Sequence, residues 1–222
     1  MNQPALDVSR PVRRDVQRNR DALLQAARQA YATCGVDAPL DGIARLAGVG
    51  IATLYRHFPH RADLVDAVLA CAVQEHLDIA ARALVFADPW DGLVHYLEET
   101  TRLEAANRGI NDLMCMRIPG TDTCEKAKEN LCAALTRIIE RAQASGQLRK
   151  DVTLQDFSFI SWGNSRILDA LSADDGEVWR RYLALLLDGF RAEGAHVLPC
   201  PPLGAEQVSQ AMTRLGERPS FA

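Results

Sequence analysis

Residues 40–65 read LDGIARLAGVGIATLYRHFPHRADLV. Apolar residues at helical spacing mark two short helices, 40–46 and 51–58, separated by Ala47, Gly48, Val49 and Gly50. Two short helices that cross steeply need small residues at their contact and a turn that glycine tolerates. Ala44 and Ala47 supply the first and Gly48 the second, while Ile43, Val49 and Leu54 have the spacing to form a small core against a preceding helix. Pro59 ends the second helix, because proline lacks the N–H donor and pushes its predecessor out of the α region. The outward face then carries Thr53, Tyr55, Arg56 and His57, all able to donate hydrogen bonds to phosphate oxygens or base edges in a major groove. Gly50 and Ala52 let the backbone come close. A helix-turn-helix that grips DNA fits these residues, and so does an ordinary helical hairpin in a globular core.

Working outward, helical periodicity continues nearly everywhere, and no segment alternates apolar with polar between turn residues, so the expected class is all-α. A first helix places Leu23, Ala27, Ala30, Tyr31 and Cys34 on one face and stops at Gly35. A long helix is expected over 62–86, on the order of 37 Å at 1.5 Å per residue, ending at Asp88 and Pro89. Further helices are expected over 90–106, 109–117, 123–145, 154–171 and 178–192, with Gly or Pro in each gap. With 222 residues, 48% of them hydrophobic, the chain can bury two unequal cores. The division read from the sequence is a basic arm over 1–15, expected to be flexible, a small domain over 16–75 that holds the first helix and the two short ones, and a larger helical domain over 76–195. A tail over 196–222 follows, containing Pro199, Pro201 and Pro202, with a short amphipathic helix over 205–215.

The net charge of −4 would argue against nucleic acid if charge were evenly spread, but Arg10, Arg13, Arg14, Arg18 and Arg20 cluster against one acid, Asp15. A basic arm on an acidic protein suits a DNA-binder with a separate regulatory domain; a solvated terminus has the same composition. No window approaches the roughly 18 to 20 apolar residues of a membrane span, and the polar start lacks a signal-peptide core, so a cytoplasmic protein with no membrane partner is expected. Of the six cysteines (Cys34, Cys71, Cys115, Cys124, Cys132, Cys200) none is spaced as CxxC, and most are expected to be buried, reduced thiols. Met114, Cys115, Met116 and Cys124 have the wrong spacing for a thiolate clip, and neither a metal nor a cofactor is expected.

The same block resembles the DNA-binding domain of the TetR family of bacterial transcriptional regulators: Ala47-Gly48-Val49 at the turn, then Leu54-Tyr55-Arg56-His57-Phe58, then Pro59, His60 and Arg61 opening the long helix. The likeness covers residues 16–75. It implies that Tyr55 and His57 contact phosphates, that Arg61 clamps the DNA backbone, and that Gly50, Ile51, Ala52 and Thr53 line base edges. Two departures stand out. Pro39 and Leu40 occupy the region where the family often carries a Ser or Thr cap, leaving Asp41 to favour the helix N-terminus electrostatically. Ile51 replaces a polar or basic residue, so it either meets a thymine methyl or packs inward. Arg18 and Arg20 are expected to follow the DNA backbone or enter the minor groove.

Two late helices are apolar on more than one side and must bury more than one side. Phe157, Ile160, Ile167 and Leu171 on one, with Trp179, Leu183, Leu186 and Phe190 on the other, are expected to form a homodimeric four-helix interface, as the resemblance also implies. A large monomeric core is the alternative. An effector pocket is expected between residues 90 and 162, with Tyr96, Met114, Phe159 and Trp162 as apolar lining and Arg102, Arg117, Asn164 and Arg166 as polar contacts. Each of these is also a natural core or solvated residue. No phosphate loop, HExxH or Ser/His/Asp signature points to an enzyme. The expected function is a repressor released from a pseudo-palindromic DNA operator by a small molecule; a helical adaptor for another protein is the alternative.

Overall fold

The computed structural model describes residues 9–106, 122–170 and 178–216. Within them the chain forms α1 Ser9–Cys34, α2 Leu40–Leu46, α3 Ile51–His57, α4 Arg61–Leu84, α5 Pro89–Ala106, α6 Asp122–Ala144, α7 Leu154–Ala170, α8 Trp179–Phe190 and α9 Ala205–Gly216, and no strand beyond a single bridge between Leu148 and Arg191. The all-α expectation holds, with boundaries within a few residues of those read from the sequence. The helix expected over 109–117 lies outside the described residues, as do positions 1–8 of the arm. Residues 9–15, expected as part of a flexible arm, are helical instead. Pro11 falls in the first turn of α1, where a missing N–H costs nothing. No helix among the described residues is long and apolar enough to cross a membrane.

Two cores share one long helix. Leu23, Ala27 and Tyr31 of α1, Ile43 and Ala44 of α2, Leu54 of α3 and the first half of α4 from Leu64 to Val73 make the N-terminal core. The second half of α4, from Ile79 to Ala83, packs with α5, α6, α7 and α8 in the other. Cys34, expected on the buried face of α1, is exposed, although Tyr31 one turn earlier is buried in the core. The expectation of mostly buried thiols fails more widely: Cys34, Cys71, Cys132 and Cys200 are exposed and Cys124 is buried, all of them unbridged. Helical spacing alone does not say which face a small apolar residue occupies.

Side-chain caps join α4 to α6 at both ends. The Asp66 carboxylate of α4 accepts from the backbone N–H groups of Thr123 (3.2 Å) and Cys124 (2.8 Å), which open α6. At the other end, Arg141 of α6 donates to the carbonyls of Leu84 (2.6 Å) and Phe86 (2.9 Å), where α4 stops. Gly92 lies where α5 meets the end of α4: a Cβ there would come within 2.5 Å of the Ala83 carbonyl oxygen.

Candidate DNA-binding surface and effector cavity

Gly48 turns the chain between α2 and α3 at φ +70°, a conformation that a β-carbon disfavours. The Gly48 and Val49 N–H groups close α2 on the carbonyls of Arg45 (3.1 Å) and Ala44 (3.0 Å). Ile43 and Leu54 are fully buried beneath the turn and Val49 packs against them, as the spacing predicts. α3 then displays Gly50, Ala52, Tyr55 and Arg56 as exposed residues, with Thr53 and His57 half-buried. Tyr55 is 49% exposed although it is a large ring, which marks it as a surface contact and not a core residue. The His57 Nε2 atom is buried and has no hydrogen-bond partner in the protein. Burial first, and then the charges of Arg56 and Arg20, holds this imidazole below its ordinary pKa.

Three residues expected at the DNA are placed differently. Arg61 is half-buried, and its Nη1 donates to the carbonyls of Val36 and Ala38, both at 2.7 Å, so it ties the loop between α1 and α2 to the start of α4. The carbonyls of a tight loop are free to accept, and that local demand captures the guanidinium. Ile51 is half-buried against the N-terminal core, the inward of its two readings. Arg20 is half-buried with its guanidinium 4.6 Å from the centre of the Phe58 ring, a cation–π contact that holds it against the protein and not in a free arm. Arg18 is exposed and paired with Asp15 at 3.1 Å. Arg45, on the last turn of α2, is exposed on the same motif and was missed in the sequence. Asp41 sits in the first turn of α2 and no side chain caps that helix, in keeping with Pro39 at its N-cap.

A cavity of about 630 Å³ lies between α4, α5, α6, α7 and α9. Leu97, Leu131, Leu135, Phe157, Ile160 and Val208 give it apolar walls, and His76, Tyr96, Thr100, Thr101, Glu104 and Ser161 give it polar ones. Glu104 is buried and accepts from the Ser161 Oγ at 2.6 Å. Burial raises its carboxyl to a pKa of about 7, the Ser161 hydrogen bond opposing the rise. His76 is buried too, and desolvation pushes its imidazole down to about 4, so it is neutral near pH 7.

Of the expected lining, Tyr96 is present. Arg102 is instead exposed and paired with Glu99 one turn away, and Phe159 is 48% exposed on the outer face of α7. Met114 and Arg117 lie outside the described residues, and so do the side chains of Trp162, Asn164, Arg166 and Ile167, and all of Leu171. Four residues assigned to the dimer interface belong inside one protomer: Phe157 and Ile160 line the cavity, and Trp179 and Leu183 are buried in the C-terminal core. Phe190 is half-buried and stacks on Phe157 with ring centres 6.2 Å apart. Leu186 is exposed, beside Tyr182 and Leu185. A helix apolar on two sides does not declare which side faces its own protomer, and the more continuous stripe proved to be the inner one.

Sequence reasoning also missed His76, Glu104, Ser161 and Val208. A signal for Glu104 existed: it continues the buried stripe Leu93, Leu97, Thr100 of α5 at helical spacing.

Residues 23–68 match the model of bacterial regulatory proteins of the tetR family, and residues 88–192 match the C-terminal domain of SbtR-like transcriptional regulators. The HTH-type transcriptional regulator TtgR of Pseudomonas putida is 30% identical over 158 residues, covering 63% of this chain and 74% of that protein. A TetR transcription regulatory protein from Mycobacterium vanbaalenii is 31% identical, with 82% of this chain and 99% of that one aligned at a TM-score of 0.55. The regulator FadR from Bacillus subtilis, solved in complex with stearoyl-CoA, shares the fold at a TM-score of 0.61 and 15% identity, over 79% of this chain and 99% of that one. With its helix-turn-helix surface, this chain belongs to the TetR family and is a DNA-binding transcriptional regulator.

Proposed function

We propose that the protein is a cytoplasmic homodimeric repressor that leaves a pseudo-palindromic operator when a small molecule enters the cavity. The observation that carries this reading is the position of α4. Val73 belongs to the N-terminal core and also lines the cavity, next to His76 on the same helix. Between them Glu75 holds Arg28 of α1 in a bidentate pair, at 2.5 and 2.7 Å. A ligand that favours a shifted α4 therefore moves the helix-turn-helix with it, and a coupling of roughly 1 to 3 kcal/mol is enough for a useful change in operator affinity.

Tyr55, Arg56 and His57 are the proposed phosphate contacts, with Gly50, Ala52 and Thr53 nearest the base edges. Arg45 joins them as a further backbone contact. Phe159, Tyr182, Leu185 and Leu186 supply the apolar surface for a second copy. Selection of bound sequences from a random duplex library tests the reading, run with the wild type, Tyr55→Ala and His57→Ala. A pseudo-palindromic site enriched by the wild type and lost in both variants is the expected result. A folded, dimeric protein that enriches no sequence at low salt would overturn it.

A further inference from the structure

Given that the cavity is the effector site, two side chains on its wall narrow the chemistry of what enters it. His76 of α4 and Tyr96 of α5 both line the cavity and are only 7% and 5% exposed. The other buried polar side chains of that wall already hold hydrogen bonds. Thr100 donates to the Tyr96 carbonyl and Thr101 to the Leu97 carbonyl, each at 2.8 Å, and Glu104 accepts from Ser161. Among the described residues, no group hydrogen-bonds to the His76 imidazole or to the Tyr96 hydroxyl. The two rings are also neighbours. α4 and α5 run antiparallel, with Gly92 against Ala83. Counted back from that contact, Tyr96 lies level with Ile79, about one helical turn from His76.

We propose that the effector is a largely apolar molecule with a hydroxyl group, held by hydrogen bonds to His76 and Tyr96. Burial pushes the imidazole down to about 4 and the phenol up, so both rings are uncharged near pH 7 and each can donate and accept. An alcohol oxygen also donates and accepts, so it matches either tautomer of the imidazole and either role of the phenol. A hydrocarbon in the same place leaves both rings with polar atoms buried and unpaired. A site built to bond a hydroxyl therefore discriminates against the analogue that lacks it. Leu97, Leu131, Leu135, Phe157 and Val208 supply apolar contacts for the rest of the molecule.

2-Naphthalenemethanol and 2-ethylnaphthalene have nearly the same shape and differ by a hydroxyl in place of a methyl. Their binding to the full-length wild type, His76→Phe and Tyr96→Phe is followed by naphthalene fluorescence near pH 7. In the wild type the alcohol is expected to bind roughly tenfold or more tightly than the hydrocarbon. In each variant the ratio of the two affinities should fall roughly tenfold. If His76→Phe does not fold, the wild-type preference and Tyr96→Phe, which removes a single oxygen, decide the matter. Equal affinities in the wild type, or a preference that survives in either folded variant, overturn the hydroxyl pairing and leave the effector cavity standing. No binding of either compound to a folded wild type overturns both.

Discussion

Arg61 opens α4, yet its guanidinium is turned back to the carbonyls of Val36 and Ala38. Hydrogen bonds to a charged group contribute about 1.5 to 3 kcal/mol, so Arg61→Ala should lower the stability of the protein by about that much in urea unfolding. Operator affinity measured on the folded fraction should change far less than it does for Tyr55→Ala. Two buried groups in the cavity pull stability in opposite directions with pH. His76 has its folded pKa lowered from 6.5 to about 4, so its contribution is complete above 6.5 and is lost as pH falls toward 4. Glu104 has its folded pKa raised from 4.5 to about 7, so its contribution is complete below 4.5 and is lost as pH rises toward 7. Each amounts to about 3 kcal/mol, and between pH 4.5 and 6.5 they largely cancel. Glu104→Gln should uncover the His76 slope, with stability rising with pH across that window, and His76→Gln should uncover the opposite slope. Parallel pH profiles in both variants would show that burial does not set these two groups apart.

The parallel pair α4 and α6 is held by Asp66 at its N-terminal end and Arg141 at its C-terminal end. These caps are separated by most of the length of α4, roughly 27 Å at 1.5 Å per residue, and share no partner. Asp66→Ala and Arg141→Ala should therefore cost about 1 kcal/mol each, and the double variant should cost their sum, as read from denaturation midpoints; a marked departure from additivity would mean that α4 and α6 loosen as one unit. Most helix limits were legible in the sequence, since Gly35, Pro59, Pro89 and Gly146 carry their signal locally. The turn at Gly48 and the buried Ile43 and Leu54 were legible for the same reason. The caps were not, because Asp66 and Thr123 meet only through the packing of helices far apart in sequence. The same holds for the cavity, whose Phe157 and Ile160 read equally well as a surface stripe, and whose α9 wall looked like an unattached tail.

For the molecule as a whole, the feature that bears on the proposed dimer is the exposed apolar surface of α7 and α8. Phe159 (48%), Tyr182 (44%), Leu185 (56%) and Leu186 (38%) expose large apolar side chains. Isolated apolar residues on a surface mean little, but Tyr182, Leu185 and Leu186 fall within about one turn of α8, and apolar side chains grouped in this way are what a two-fold interface presents. Pairing two protomers there matters to DNA recognition because half-sites one helical turn apart, about 34 Å, can be engaged together only by a dimer. Once one half binds, the second binds from an effective concentration in the millimolar range. Replacing both Leu185 and Leu186 with Asp should give a folded monomer by sedimentation, with affinity for the full operator reduced roughly a hundredfold or more and affinity for an isolated half-site unchanged. Phe157→Ala, whose side chain is buried between the cavity and Phe190, should instead lower stability by about 3 to 5 kcal/mol and leave the folded fraction dimeric. If the Leu185, Leu186 double variant stays dimeric, the two-fold contact lies on another face; if it is monomeric and half-site binding also collapses, these leucines support the protomer itself.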